Sequence, residues 1–67
     1  MEIFAERLKE LRTEKGLSIQ RLSKELHIGV ASICRWENCR ADVKGSQLVA
    51  LAKYLDVTID YLMGLED

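Results

Sequence analysis

The sequence has no proline, four glycines, two cysteines and a single histidine among 67 residues, with aromatic residues at 6%. Each shortage removes a class of answer. Cys34 and Cys39 do not make the disulfide framework of a small secreted domain, and one such pair is not a zinc signature. On a single helix, five residues would turn them about 140° apart, which is poor geometry for a bridge. With His27 as the only histidine and Glu37 the nearest acid, nothing completes a metal site, so two reduced thiols are expected. No apolar run approaches the ~20 residues that a bilayer span needs. The opening stretch MEIFAERLKE has no apolar core of a signal peptide, so the expected location is the cytoplasm. A chain this short buries only roughly 60% of the surface it exposes when unfolded. That is too little for a deep catalytic cleft, and no nucleophile–base pair is in sight. The sequence predicts neither an enzyme nor a small-molecule substrate, metal or cofactor.

What is present is an ordinary globular balance, 48% hydrophobic and 31% charged, which argues against disorder. The net charge of −1 hides an uneven distribution. From Arg12 to Lys44, the bases Arg12, Lys15, Arg21, Lys24, Arg35, Arg40 and Lys44 outweigh Glu14, Glu25, Glu37 and Asp42. From Gly45 onward, Lys53 alone faces Asp56, Asp60, Glu66 and Asp67. A basic middle and an acidic end suit a module that offers one face to phosphate and another to solvent or a partner.

Apolar residues recur at three and four positions, the helical period, and nowhere alternate for long enough to make a strand. The spacing predicts an all-α chain of five short helices over about 2–15, 19–26, 30–37, 45–55 and 58–63, in one domain spanning 1–67. Phe4, Leu8 and Leu11 stripe the first helix with Ile3 beside them, and Gly16 stops it. Ser18 caps the second, whose stripe is Leu22 and Leu26 with Ile19 behind. The third places Val30, Ile33 and Trp36 at spacing three. Asp42 or Ser46 is expected to cap the fourth, with Leu48, Leu51, Ala52 and Leu55 inward. Thr58 caps the fifth and Gly64 stops it.

The second and third helices are each about eight residues long, joined by three or four, the layout of a helix-turn-helix. Ser23 is small where the two helices must cross closely, and Ile28 and Ile33 are apolar where both can pin the pair to a core. The stretch KGLSIQRLSKELHIGVASICRWEN, followed by LVALAKYLDVTIDYLMG, resembles the Xre/Cro family of lambda-repressor-like helix-turn-helix domains. The ordered set LR-x3-GLS, L-x3-L-x-I, I-x-R-W-E-N and L-x2-LAKYL-x-V-x2-DYL carries the resemblance over nearly the whole chain.

The resemblance implies a compact five-helix DNA-binding domain, usually a dimer on a roughly palindromic operator, with the third helix in the major groove. Val30, Ala31, Ser32 and Arg35 match positions that face base edges. An arginine can donate two bonds to O6 and N7 of one guanine, Ser32 can donate or accept, and the methyls of Val30 and Ala31 can pack on a thymine methyl. For Val30, packing against the second helix is the competing role. Ser18 and Gln20, at the start of the second helix, and Asn38, Arg40 and Lys44, after the third, match phosphate contacts, which set position rather than sequence choice. Arg12 and Glu37 match a structural ion pair between the first helix and the end of the third. Trp36 is expected in the core.

Four positions depart from the family pattern. Ile19 stands where a phosphate-binding glutamine is common, His27 where the turn is usually glycine, and Cys39 where glycine commonly follows Glu-Asn, with Gly45 at a position often apolar. The resemblance points to a sequence-specific transcriptional regulator, a repressor of phage or mobile-element type acting as a homodimer on double-stranded DNA. Dimer contacts are expected from the C-terminal part, with Tyr54, Val57 and Tyr61 as candidates that serve equally well as core. The alternative, a protein-interaction module such as an antitoxin or regulatory subunit, draws on the near-neutral total charge, the acidic end and Ile19. The chain fits either a whole small regulator or the N-terminal domain of a longer one.

Overall fold

In a computed structural model that describes residues 2–40 and 42–66, the apolar spacing resolves into five helices: α1 (Glu2–Glu14), α2 (Ile19–Leu26), α3 (Val30–Glu37), α4 (Gly45–Leu55) and α5 (Ile59–Met63). No strand occurs among the described residues.

The helices start and stop on local chemistry. Ser18 and Thr58 sit in extended backbone and accept from the N–H groups of Arg21 and Tyr61, each at 3.0 Å, satisfying donors that the first helical turn leaves open. α4 departs from expectation: its N-cap is Lys44, neither Asp42 nor Ser46. Three residues on, Gln47 reaches back to accept from the Lys44 N–H at 3.3 Å, the half of a capping box that a residue inside the helix supplies. α1 stops at Glu14, one residue early, with Gly16 left-handed at φ 67°.

Three other helices are followed by non-glycine residues in the left-handed region: His27 (φ 56°), Cys39 (φ 58°) and Asp56 (φ 58°). Each turns the chain so that the next N–H reaches back to an otherwise open carbonyl, as Ile28 does to Ser23 at 3.2 Å and Val57 to Ala52 at 3.0 Å. The left-handed backbone at His27 and Cys39 is a conformation that glycine adopts at least cost, in keeping with the glycine that the resemblance leads one to expect at both positions.

α1 packs on α3 and α5, α2 on α3 and α4, and α4 on α5. Between them lie Phe4, Leu8, Leu22, Ile28, Ile33, Trp36, Leu51, Leu55 and Leu62, all buried, with Ala5 and Ala52. Trp36, 2% exposed, meets Phe4 edge to face with ring centres 6.3 Å apart, an arrangement aromatic quadrupoles favour. Ile19, Leu26 and Leu48 pack against this core from its margin. Val30 does not join Ile33 and Trp36: it is 38% exposed at the start of α3.

The residues expected at a dimer surface are largely taken up within the protomer. Tyr54 and Val57 pack against the core, and Tyr61 is half-buried beneath Arg7, whose guanidinium carbon lies 4.2 Å from the ring centre. The apolar side chains that α4 and α5 do turn outward are Val49 and Ile59.

Candidate nucleic-acid interface

The short link between α2 and α3 forces a compact corner, and Ser23 closes it chemically as well as sterically. Its hydroxyl donates to the carbonyl of Ile28 across the turn. With Leu22, Ile28 and Ile33 buried on the inner side, α3 is held with one face inward and one face to solvent.

At 100° per residue, Ala31 and Arg35 fall within about 40° of each other, opposite Ile33 and Trp36. Accessibility agrees: Ala31 and Arg35 are exposed while Ile33 and Trp36 are 0% and 2% exposed. Val30 flanks this outer face near the helix start, and Ser32 is half-buried at its edge. Three of the four predicted base-reading residues therefore stand clear of the core, and Ser32 stands partly clear. Among the described residues, the Arg35 guanidinium has no hydrogen bond or ion pair of its own, so its donors point to solvent.

Ser18 and Gln20 are both exposed at the start of α2. Ser18 uses a lone pair of its hydroxyl as the cap and keeps its O–H as a donor. Beyond α3, Asn38, Arg40 and Lys44 are exposed. Asn38 has a structural task as well, donating from Nδ2 to the Cys34 carbonyl at 2.7 Å and so closing the end of α3. Arg21, by contrast, is engaged along α2 with Glu25 at 2.9 Å.

Beneath this surface, Arg12 holds the end of α3. Its Nε and Nη2 donate to the two carboxylate oxygens of Glu37 at 2.8 and 3.0 Å, and its Nη1 donates to the Leu17 carbonyl at 2.7 Å. The hydrogen bond to Glu37 raises the Arg12 pKa above the ordinary arginine value, against the opposing cost of burial. This pair fixes α1, the turn before α2 and the C-terminal end of α3 to one another.

Arg7 was not among the residues singled out from sequence. It donates to the carbonyls of Tyr61 and Glu66, the latter at 2.7 Å, while covering the Tyr61 ring. No sequence signal marks it, because its partners lie 54 and 59 positions away. Among the described residues, no group of three or more His, Cys, Asp or Glu side chains is placed to hold a metal ion. No described helix is long and apolar enough to cross a membrane.

Comparison with known proteins bears on this surface. The helix-turn-helix family profile matches residues 8–62. Over 64 residues the chain is 33% identical to the HTH-type transcriptional activator BcrR of Enterococcus faecalis, covering 96% of this chain and 31% of that protein. Over 65 residues it is 31% identical to the uncharacterized HTH-type transcriptional regulator YobD of Bacillus subtilis (strain 168), covering 97% of this chain and 58% of that one. The chain thus spans about a third of the first relative and under two thirds of the second. No solved structure gives a significant match.

Proposed function

Because this chain belongs to the Xre/Cro-like helix-turn-helix family of transcriptional regulators, we propose that it binds operator DNA sequence-specifically, laying α3 in the major groove. The observation that carries this reading is the division of α3: Ile33 and Trp36 anchor one side in the core, while Arg35 and Ala31 stand exposed on the other. In the proposed complex Val30, Ala31, Ser32 and Arg35 face base edges. Ser18, Gln20, Asn38, Arg40 and Lys44 meet phosphates on either side and set the register.

The mechanism needs no cofactor. Two copies bind a two-fold site, each α3 reading one half. Contact between copies falls at the open apolar groove of about 560 Å³ lined by Val49, Ile59 and the half-buried Val57, one of the residues expected at a dimer surface. Lys53 and Asp56 line the same groove, offering the opposite charges that a two-fold contact pairs. Repression follows where the operator overlaps a promoter and the bound protein occludes RNA polymerase. The relative from E. faecalis is named an activator, and on the same binding chemistry the sign of regulation depends on where the operator lies.

Selection from random duplex DNA near physiological salt, followed by titration of the best site at several salt concentrations, tests the proposal. The expected result is an enriched two-fold site with half-sites about one helical turn apart and affinity falling steeply with salt. Weak binding common to all sequences would overturn it and favour a protein partner for the same fold.

A further inference from the structure

The outer face of α3 has a chemical peculiarity at its leading end. Gly29, Val30 and Ala31 are consecutive and all exposed, and none has a polar side-chain atom. The first hydroxyl, that of Ser32, belongs to a half-buried residue. The next strong donor group on this face is the Arg35 guanidinium, four residues beyond Ala31 and on the same side of the helix. Side chains that enter the groove with methyl groups alone cannot distinguish bases by hydrogen bonds; they distinguish them by what fills or fails to fill an apolar contact.

We infer that each half-site is read as a 5-methylpyrimidine and a guanine about two base pairs apart, an inference that rests on the DNA-binding reading above. The spacing follows from geometry. Where α3 runs along the base stack, four residues advance it by about 6 Å, against 3.4 Å per base step. Arg35 takes the guanine through O6 and N7. Val30 and Ala31 take the methyl on C5 of the pyrimidine. Thymine and cytosine differ in the major groove at position 4, an acceptor in one and a donor in the other. The side chains of Val30 and Ala31 have nothing with which to read position 4. The readout therefore depends on the methyl group itself: uracil binds more weakly than thymine, and 5-methylcytosine paired with guanine binds more tightly than cytosine.

The experiment uses the enriched operator in four versions, differing only at the pyrimidine of each half-site: thymine, uracil, 5-methylcytosine and cytosine. Expected is a loss of about fourfold per half-site from thymine to uracil, the size of one methyl contact. Restoration by 5-methylcytosine relative to cytosine should be of similar size. In the Val30→Ser/Ala31→Ser variant, whose changes lie on exposed positions and whose fold is checked by circular dichroism, the methyl preference disappears while the guanine preference stays. An enriched operator with no position at which uracil weakens binding would overturn the methyl readout and leave the regulator reading standing. Failure to enrich any operator would overturn both. A methyl preference that survives the double serine variant would remove Val30 and Ala31 as its source.

Discussion

Arg12 and Glu37, 25 residues apart, form a two-pronged ion pair that ties the end of α1 to the end of α3. Their side chains retain only 12% and 6% of their accessible surface, so the pair is partly withdrawn from water. The same guanidinium satisfies the Leu17 carbonyl, which brings the turn before α2 into the arrangement. Under the proposed function α3 reads DNA from its outer face and needs its far end fixed, and this pair fixes it.

Removing either partner leaves the other charge half-buried and alone, at a cost of about 1–3 kcal/mol, below that of a fully buried pair. That is still a large share of the stability of a domain this small. Arg12→Ala should cost more than Glu37→Ala, because it also strands the Leu17 carbonyl. Replacing both by leucine should cost less than either single change, since no lone charge remains. Thermal melts of the three variants check the order; a double variant less stable than both singles would contradict it. The raised Arg12 pKa fixes the sign of the alkaline behaviour. Stability from a group raised on folding is complete below its unfolded pKa and is lost only as pH climbs through the folded one. The Arg12 contribution is therefore constant from neutral pH through ordinary alkaline buffers, and urea midpoints across that range should show no loss traceable to it.

Arg7 and Tyr61 make a second tie, from α1 to α5. The planar guanidinium reaches two carbonyls and lies on a ring at once, which a lysine ammonium does not reproduce. Arg7→Ala should destabilise by about 1–3 kcal/mol, and Arg7→Lys should recover less than half of that. Hydrogen exchange gives the more specific readout: faster exchange at Gly64 and Leu65, whose N–H groups close the end of α5, ahead of any change in α2 and α3.

His27 holds a backbone conformation that costs an L-residue about 1–2 kcal/mol, partly offset in glycine by greater freedom when unfolded. Its side chain is exposed. His27→Gly should therefore raise stability by about 0.5–1 kcal/mol, a shift of about 4 °C in Tm for a domain of this size. Gly64→Ala should move the other way. Gly64 sits at φ 80°, and an added Cβ would approach Cγ2 of Ile3 to 2.7 Å. Unchanged melting temperatures in both variants would contradict the backbone argument.

Arg35 and Arg40 should separate specificity from affinity. Under the proposed function, Arg35→Ala reduces the preference for guanine at its position by about 1–3 kcal/mol and alters the salt slope little. Arg40→Ala weakens binding to all sequences alike and lowers the slope by about one. Fluorescence anisotropy on matched and single-substituted operators, repeated across salt, distinguishes them.

Much of the fold is written in short-range chemistry. Ser18, Thr58, Gly16 and Gly64 act through atoms within a few residues of themselves, so their positions alone mark where helices begin and end. The start of α4 resisted that reading because its capping group is the side chain of Gln47, inside the helix, rather than an oxygen at the cap. The outward turn of Val30 resisted it too. Spacing of three places Val30 in line with Ile33 and Trp36, but a residue in the first turn projects beyond the core that its followers fill.

The sequence by itself determined five helices, the caps at Ser18 and Thr58, the small residue at the helix crossing and the apolar anchors beneath α3, because each depends on neighbours within one or two turns. The tertiary structure alone decided that Arg7 clasps α5, that Tyr54 and Val57 pack inward while Val49 and Ile59 face out, and how much of Val30 and Ser32 is left accessible. Those outcomes depend on which helices meet and at what angle. That choice is settled by burying Phe4, Leu8, Leu22, Leu51 and Leu55 together, and no local pattern along the chain encodes it.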